Sequence, residues 1–154
     1  MLKDENIEIL DSHHHFWDLD KNYYPFLCDK IDPDFFLGDY EMIRKNYLPF
    51  DYEEDSINHN VIGTIHCEAE WDRNDQVGET KWIEKLAKKN KYPNAIIGHA
   101  WFHTKKAETI IAEQASFDMV KSIRSKPNEK FSKDSTCYTF DGSMQDKSWI
   151  NGLK

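Results

Sequence analysis

The order of apolar runs along these 154 residues predicts an α/β protein on a parallel sheet. Residues 61–68 and 95–102 are short, β-branched and apolar, the composition of strands buried on both faces. Between and after them, Trp82, Ile83, Leu86, Ala87 and then Ala107, Ile110, Ile111, Ala115 recur with helical period. Every strand run also ends in chemically capable side chains.

Taken in order, residues 7–11 read as a short strand. An aromatic, Asp- and Pro-rich excursion follows over 16–60. Within it 39–47 predicts a short helix stopped near Pro49, and 51–60 a second. Strand 61–68 leads to helix 76–91 and strand 95–102. Thr104 is placed to cap the next helix. Residues 119–124 are the fourth strand, 125–141 a polar loop, and 144–153 the opening of another helix. That is about four βα units.

Composition narrows the function. The chain is 39% hydrophobic and 31% charged, which supports a packed core. No apolar run reaches the roughly 18–20 residues of a membrane helix, and the polar, acidic start lacks the pattern of a signal or transit peptide. Cys28, Cys67 and Cys137 are widely spaced and form no disulfide or zinc-finger pattern. A soluble, cytoplasmic protein with reduced thiols is expected, with Cys67 buried. Net charge is −8, so non-specific nucleic-acid binding is disfavoured. The acid is concentrated in residues 1–75, with 19 Asp+Glu against 6 Lys+Arg.

The strand ends carry the candidate site. Side chains two apart on an extended chain share a face, and carboxyl ends of parallel strands are where sites are built. His13 and His15 therefore point one way and can bind one metal ion. Asp11 either orients a histidine or closes the turn, and His14 points away. His66 and Glu68 end the second strand as candidate catalytic residues, for substrate positioning or proton transfer. His99 and Trp101 end the third and, with Lys126, are candidate substrate-binding residues. Arg124 ends the fourth as a further candidate catalytic residue, suited to clamp a carboxylate or a lactone carbonyl. Pairing of Arg124 or Lys126 with Glu68 or Asp11 is the structural alternative.

Asp11-Ser12-His13-His14-His15-Phe16-Trp17-Asp18, Tyr24-Pro25-Phe26-Leu27-Cys28-Asp29, Thr64-Ile65-His66-Cys67-Glu68-Ala69-Glu70-Trp71-Asp72 and Ile123-Arg124-Ser125-Lys126-Pro127 resemble the amidohydrolase-related family. The likeness is to its branch of predicted metal-dependent barrel hydrolases, which includes sugar lactonases and 2-pyrone-4,6-dicarboxylate lactonase. The resemblance implies a (β/α)₈ barrel of the TIM type, present here as an incomplete half-barrel with a long excursion after the first strand. It implies that 1–154 is the N-terminal part of one such domain. It implies a hydrolase that attacks a lactone or amide carbonyl with an activated water, His13 and His15 holding Zn or Mn, or positioning substrate if no metal is used. The substrate is then a lactone or anionic carbonyl compound. The rival expectation is an inactive assembly module that completes a barrel with another chain, and exposed strand edges predict self-association.

Overall fold

A computed structural model describes residues 7–33, 35, 38–126 and 144–154. The chain forms one four-stranded, wholly parallel sheet in the order β1-β2-β3-β4. The strands are β1 (Glu8–His14), β2 (Asn60–Cys67), β3 (Ala95–His99) and β4 (Val120–Arg124). Helix α3 (Gly78–Ala87) joins β2 to β3, and α4 (Ala107–Ala115) joins β3 to β4. Strand order therefore follows chain order, as in the first four units of a (β/α) barrel. The long connection after β1 carries α1 (Pro25–Cys28), a 3₁₀ turn (Glu41–Ile43) and α2 (Pro49–Asp55); α5 (Lys147–Leu153) lies last.

Several local expectations are corrected. Strand β1 runs past Asp11 into the histidines, because His14 pairs with His66 after a register shift between Asp11 and His14. The helix expected over 39–47 is only the 3₁₀ turn. Pro49 opens α2 instead of stopping a helix. Its missing N–H costs nothing at a first helical position, and the Asp51 carboxylate accepts the Leu48 N–H at 2.7 Å. Thr104 does not cap α4. Its hydroxyl donates to the Trp101 carbonyl at 2.9 Å, closing a turn, and Lys106 holds the cap position. Strand β3 stops at His99, where side chains take over the ladder: Gln114 donates to the His99 carbonyl and Gln76 accepts the Trp101 N–H. The polar loop, with Cys137, falls largely outside the described residues.

Three apolar clusters hold the layers together. Phe16, Tyr52, Ile83, Tyr92 and Ile96 join the chain after β1 to α2, α3 and β3. Tyr24, Leu27 and Ala69 fasten the excursion over the end of β2, with Trp17, Phe26, Ile43 and Trp71 around them. Ala100, Phe102 and Trp149 seat α5, whose Gly152 lies so close to the Phe102 carbonyl that a Cβ there would stand 2.0 Å from its oxygen. Among the described residues β1 and β4 each pair on one side only. Leu10, 59% exposed, and Ile62, 52% exposed, leave the β1–β2 edge apolar and uncovered.

Candidate functional site

A cavity of about 450 Å³ opens at the carboxyl ends of the strands. One wall is polar: His13, His15, Glu68, Glu70, Arg73, Arg124 and Lys126. The rest of the lining is largely apolar, made of Trp17, Pro25, Phe26, Phe35 and Ile43 from the excursion, with Trp17 stacked beside His15 at 6.1 Å.

Strand alternation delivers the histidines as expected. His13 and His15 both line the cavity with ring centroids 5.1 Å apart, while His14 is buried on the opposite side against Phe16 and Tyr52. His15 Nδ1–H donates to the Cys67 carbonyl at 2.8 Å, which fixes the ring and leaves Nε2 with a free lone pair. Burial, outweighing that bond, pushes His15 down to about 4, so the ring is neutral at pH 7. Asp11 closes the turn by accepting the His13 N–H at 3.0 Å and anchors Tyr52 at 2.8 Å.

Glu68 is the hub of the polar wall. It is 2% exposed, and Arg124 grips it with Nε on Oε1 and Nη2 on the Glu68 backbone carbonyl, both at 2.6 Å. The Glu70 N–H donates to Oε2 at 3.0 Å. Burial raises the Glu68 pKa, but His99, Arg124, Lys126 and the Glu70 N–H together outweigh it, and the carboxyl lies below its usual value. Arg124 lines the cavity, and its Nη1 makes no hydrogen bond among the described residues. Glu70 adopts φ 62°, a left-handed conformation that costs a non-glycine residue of order 1–3 kcal/mol. The strain turns its carboxylate onto Lys126, with Arg73 3.6 Å away.

The remaining sequence candidates sit behind this wall. His66 is fully buried and has both ring nitrogens occupied, Nδ1 accepting the Phe16 N–H at 3.2 Å and Nε2 facing Glu79 at 3.0 Å. It does not reach the cavity. His99 and Trp101 also lie outside the lining. His99 Nδ1 stands 3.8 Å from Glu68 Oε2, and its ring meets Trp101 edge-on at 4.6 Å. The Arg73 guanidinium lies over the Trp101 ring, 5.7 Å from its centroid. The sequence reading missed Arg73, Glu79 and the apolar wall. Glu79 had a signal: it sits four residues before Ile83, on the buried face of α3, where an acid needs partners.

For a metal, the donor chemistry is right in kind, since His13 and His15 present imidazole to one cavity and His15 is held neutral. They supply two ligands. Among the described residues no group of three or more His, Cys, Asp or Glu is placed to hold an ion.

No family model matches the chain. It is 37% identical over 123 residues to the uncharacterized protein y4mH of Sinorhizobium fredii, covering 80% of this chain and 41% of that protein. The chain thus spans about two-fifths of the length of that curated relative. Among solved structures, an amidohydrolase from Burkholderia multivorans with bound Zn overlaps 75% of this chain and 36% of its own, at TM-score 0.50 and 20% identity. Amidohydrolase 2 from Bifidobacterium longum subsp. infantis overlaps 61% and 33%, at TM-score 0.41 and 18% identity, too loose a superposition to bear on function. The chain therefore shares the α/β fold of the Burkholderia protein over four βα units, an incomplete barrel with its cavity at the carboxyl ends of the strands.

Proposed function

We propose that this chain supplies four βα units and half the active-site mouth of a hydrolase that opens a lactone or amide carbonyl. The observation that carries the reading is the joint placement of His13, His15 and the Arg124–Glu68 clamp on one cavity wall. The (β/α) fold shared with a zinc-bearing amidohydrolase supports it.

The residues divide the work. His15 Nε2 is neutral but weakly basic, so it suits a ligand role better than proton abstraction. With His13 it would hold a divalent ion such as Zn or Mn, which when bound supplies Lewis-acid polarisation and a water of lowered pKa. Glu68 has both oxygens engaged and is held ionised, so it positions Arg124 instead of exchanging protons. Arg124 Nη1 and Lys126 offer donors to an anionic or carbonyl oxygen of the substrate. The apolar lining of Trp17, Phe26, Phe35 and Ile43 favours a substrate that carries an apolar part besides its anionic group.

Hydrolysis assays test this with three probes: an aromatic lactone carrying a carboxylate, its methyl ester, and a sugar lactone. Turnover of the first, lost in His13→Ala/His15→Ala, is the expected result. No turnover of any probe with zinc or manganese added would overturn the activity for this chain. A second reading, an assembly module that pairs with further βα units, is favoured by the uncovered apolar edge at Leu10 and Ile62.

A further inference from the structure

A second carboxyl group, Glu79, lies directly under the site and has no part in the reaction just described. It enters from the first turn of α3 and is 3% exposed. Its Oε1 accepts the Ala69 N–H at 2.9 Å and faces His66 Nε2 at 3.0 Å; Oε2 lies 3.1 Å from the same Ala69 nitrogen. The tautomer follows from the other side of the ring. His66 Nδ1 accepts the Phe16 N–H, so Nε2 carries the proton and donates to Glu79. One oxygen atom therefore ties two strand ends together. Through His66 it holds Phe16, next to His15 after β1. Through Ala69 it holds the peptide between Glu68 and the strained Glu70.

We infer that Glu79 is a positioning residue, whose Oε1 sets the reach and register of the His13/His15 end of β1 against the Glu68–Glu70 turn after β2. This rests on the reading of the cavity as the functional site. What matters is an acceptor oxygen at the right distance, since burial disfavours charge on both Glu79 and His66.

That claim separates two conservative variants. Glu79→Gln keeps an oxygen at the same reach and cannot ionise. Glu79→Asp keeps an ionisable carboxyl and withdraws the oxygen by one methylene. The readouts on the intact chain are the ¹⁵N shifts of His66, the Arg124 Nε–H signal, and the affinity for benzoate followed on that signal. Ile83→Val, a loosening of the same helix in the core, is the control. Glu79→Gln should retain the Nε2–H tautomer of His66 and bind benzoate within about twofold of the parent. Glu79→Asp should lose the single tautomer, move the Arg124 signal and weaken benzoate by about tenfold, the lower end of what losing an outer-shell partner costs a site. An unchanged His66 and Arg124 in Glu79→Asp overturns the inference. So does a Glu79→Gln variant as disturbed as Glu79→Asp, which would mean charge decides, or an Ile83→Val variant that moves the same signals. If benzoate fails to bind even the parent chain, the ligand reading fails, while the tautomer and Arg124 signals still decide the role of Glu79.

Discussion

Arg124 at the end of β4 reaches across β3 to hold Glu68 just beyond β2, with two hydrogen bonds of 2.6 Å, one to the carboxylate and one to the backbone carbonyl. The clamp ties the end of β4 to the end of β2 over β3, in the lining of the cavity. Removing the guanidinium leaves a buried carboxylate with the Glu70 N–H as its hydrogen bond and only the fields of His99 and Lys126 beside it. Arg124→Ala is expected to destabilise the chain by about 3–5 kcal/mol, the range for breaking one side of a buried ion pair. Arg124→Lys cannot make the two-point contact and should recover only part of that. Urea unfolding of the three proteins measures both.

Acid should destabilise the folded chain through its buried histidines. Burial holds His14 and His15 near 4, below the usual 6.5. The unfolded chain therefore takes up protons that the folded chain refuses as pH falls from about 6.5 to about 4. Each residue then removes up to about 1.4 kcal/mol per pH unit across that window and nothing above it. Glu79, shifted the opposite way by burial, offsets part of the loss. Thermal melts of parent and His15→Gln at several pH values should converge as the pH is lowered.

Gly98 is required by Gln114. A Cβ at position 98 would stand 2.7 Å from Gln114 Oε1 and 2.9 Å from its Cδ. Gln114 is fully buried and joins Thr80, the Gln76 carbonyl and the His99 carbonyl. Gly98→Ala should cost about 1–3 kcal/mol by overpacking. A variant that melts with the parent would show that Gln114 can give way.

The uncovered edge of β1 should drive association. Leu10 and Ile62 are exposed beside a strand with one unpaired side among the described residues. Sedimentation velocity is expected to show concentration-dependent dimers or larger species, shifted toward monomer by Leu10→Lys. A parent chain that is monomeric throughout would contradict this.

The sheet was legible because its two inner strands are continuous apolar runs and its helices keep a clear period. The His13/His15 pair was legible for the same reason: alternation near the end of a strand decides direction, even across the register shift in β1. The second and third strand ends were harder. Alternation puts His66 and Glu68 on one face, but His66 is drawn under the site by Phe16 and Glu79, and only Glu68 reaches the cavity. His99 is the last residue of β3, paired with Arg124, and stands beside Glu68 outside the cavity lining; Trp101 lies past the strand end, where Gln76 takes its N–H and alternation no longer aims it. The apolar wall was not legible. It comes from an irregular excursion whose placement depends on Tyr24 and Leu27 packing over Ala69, a contact between residues some forty apart that no local pattern announces.

Metal analysis of the purified chain, beside His13→Ala/His15→Ala, decides whether the imidazoles at the end of β1 hold an ion. Close to one equivalent of a divalent ion is expected in the parent after equilibration with zinc and dialysis, and a loss of that ion in the double variant. Zinc absent from both proteins, or retained equally by both, would contradict a metal-assisted site at the end of β1.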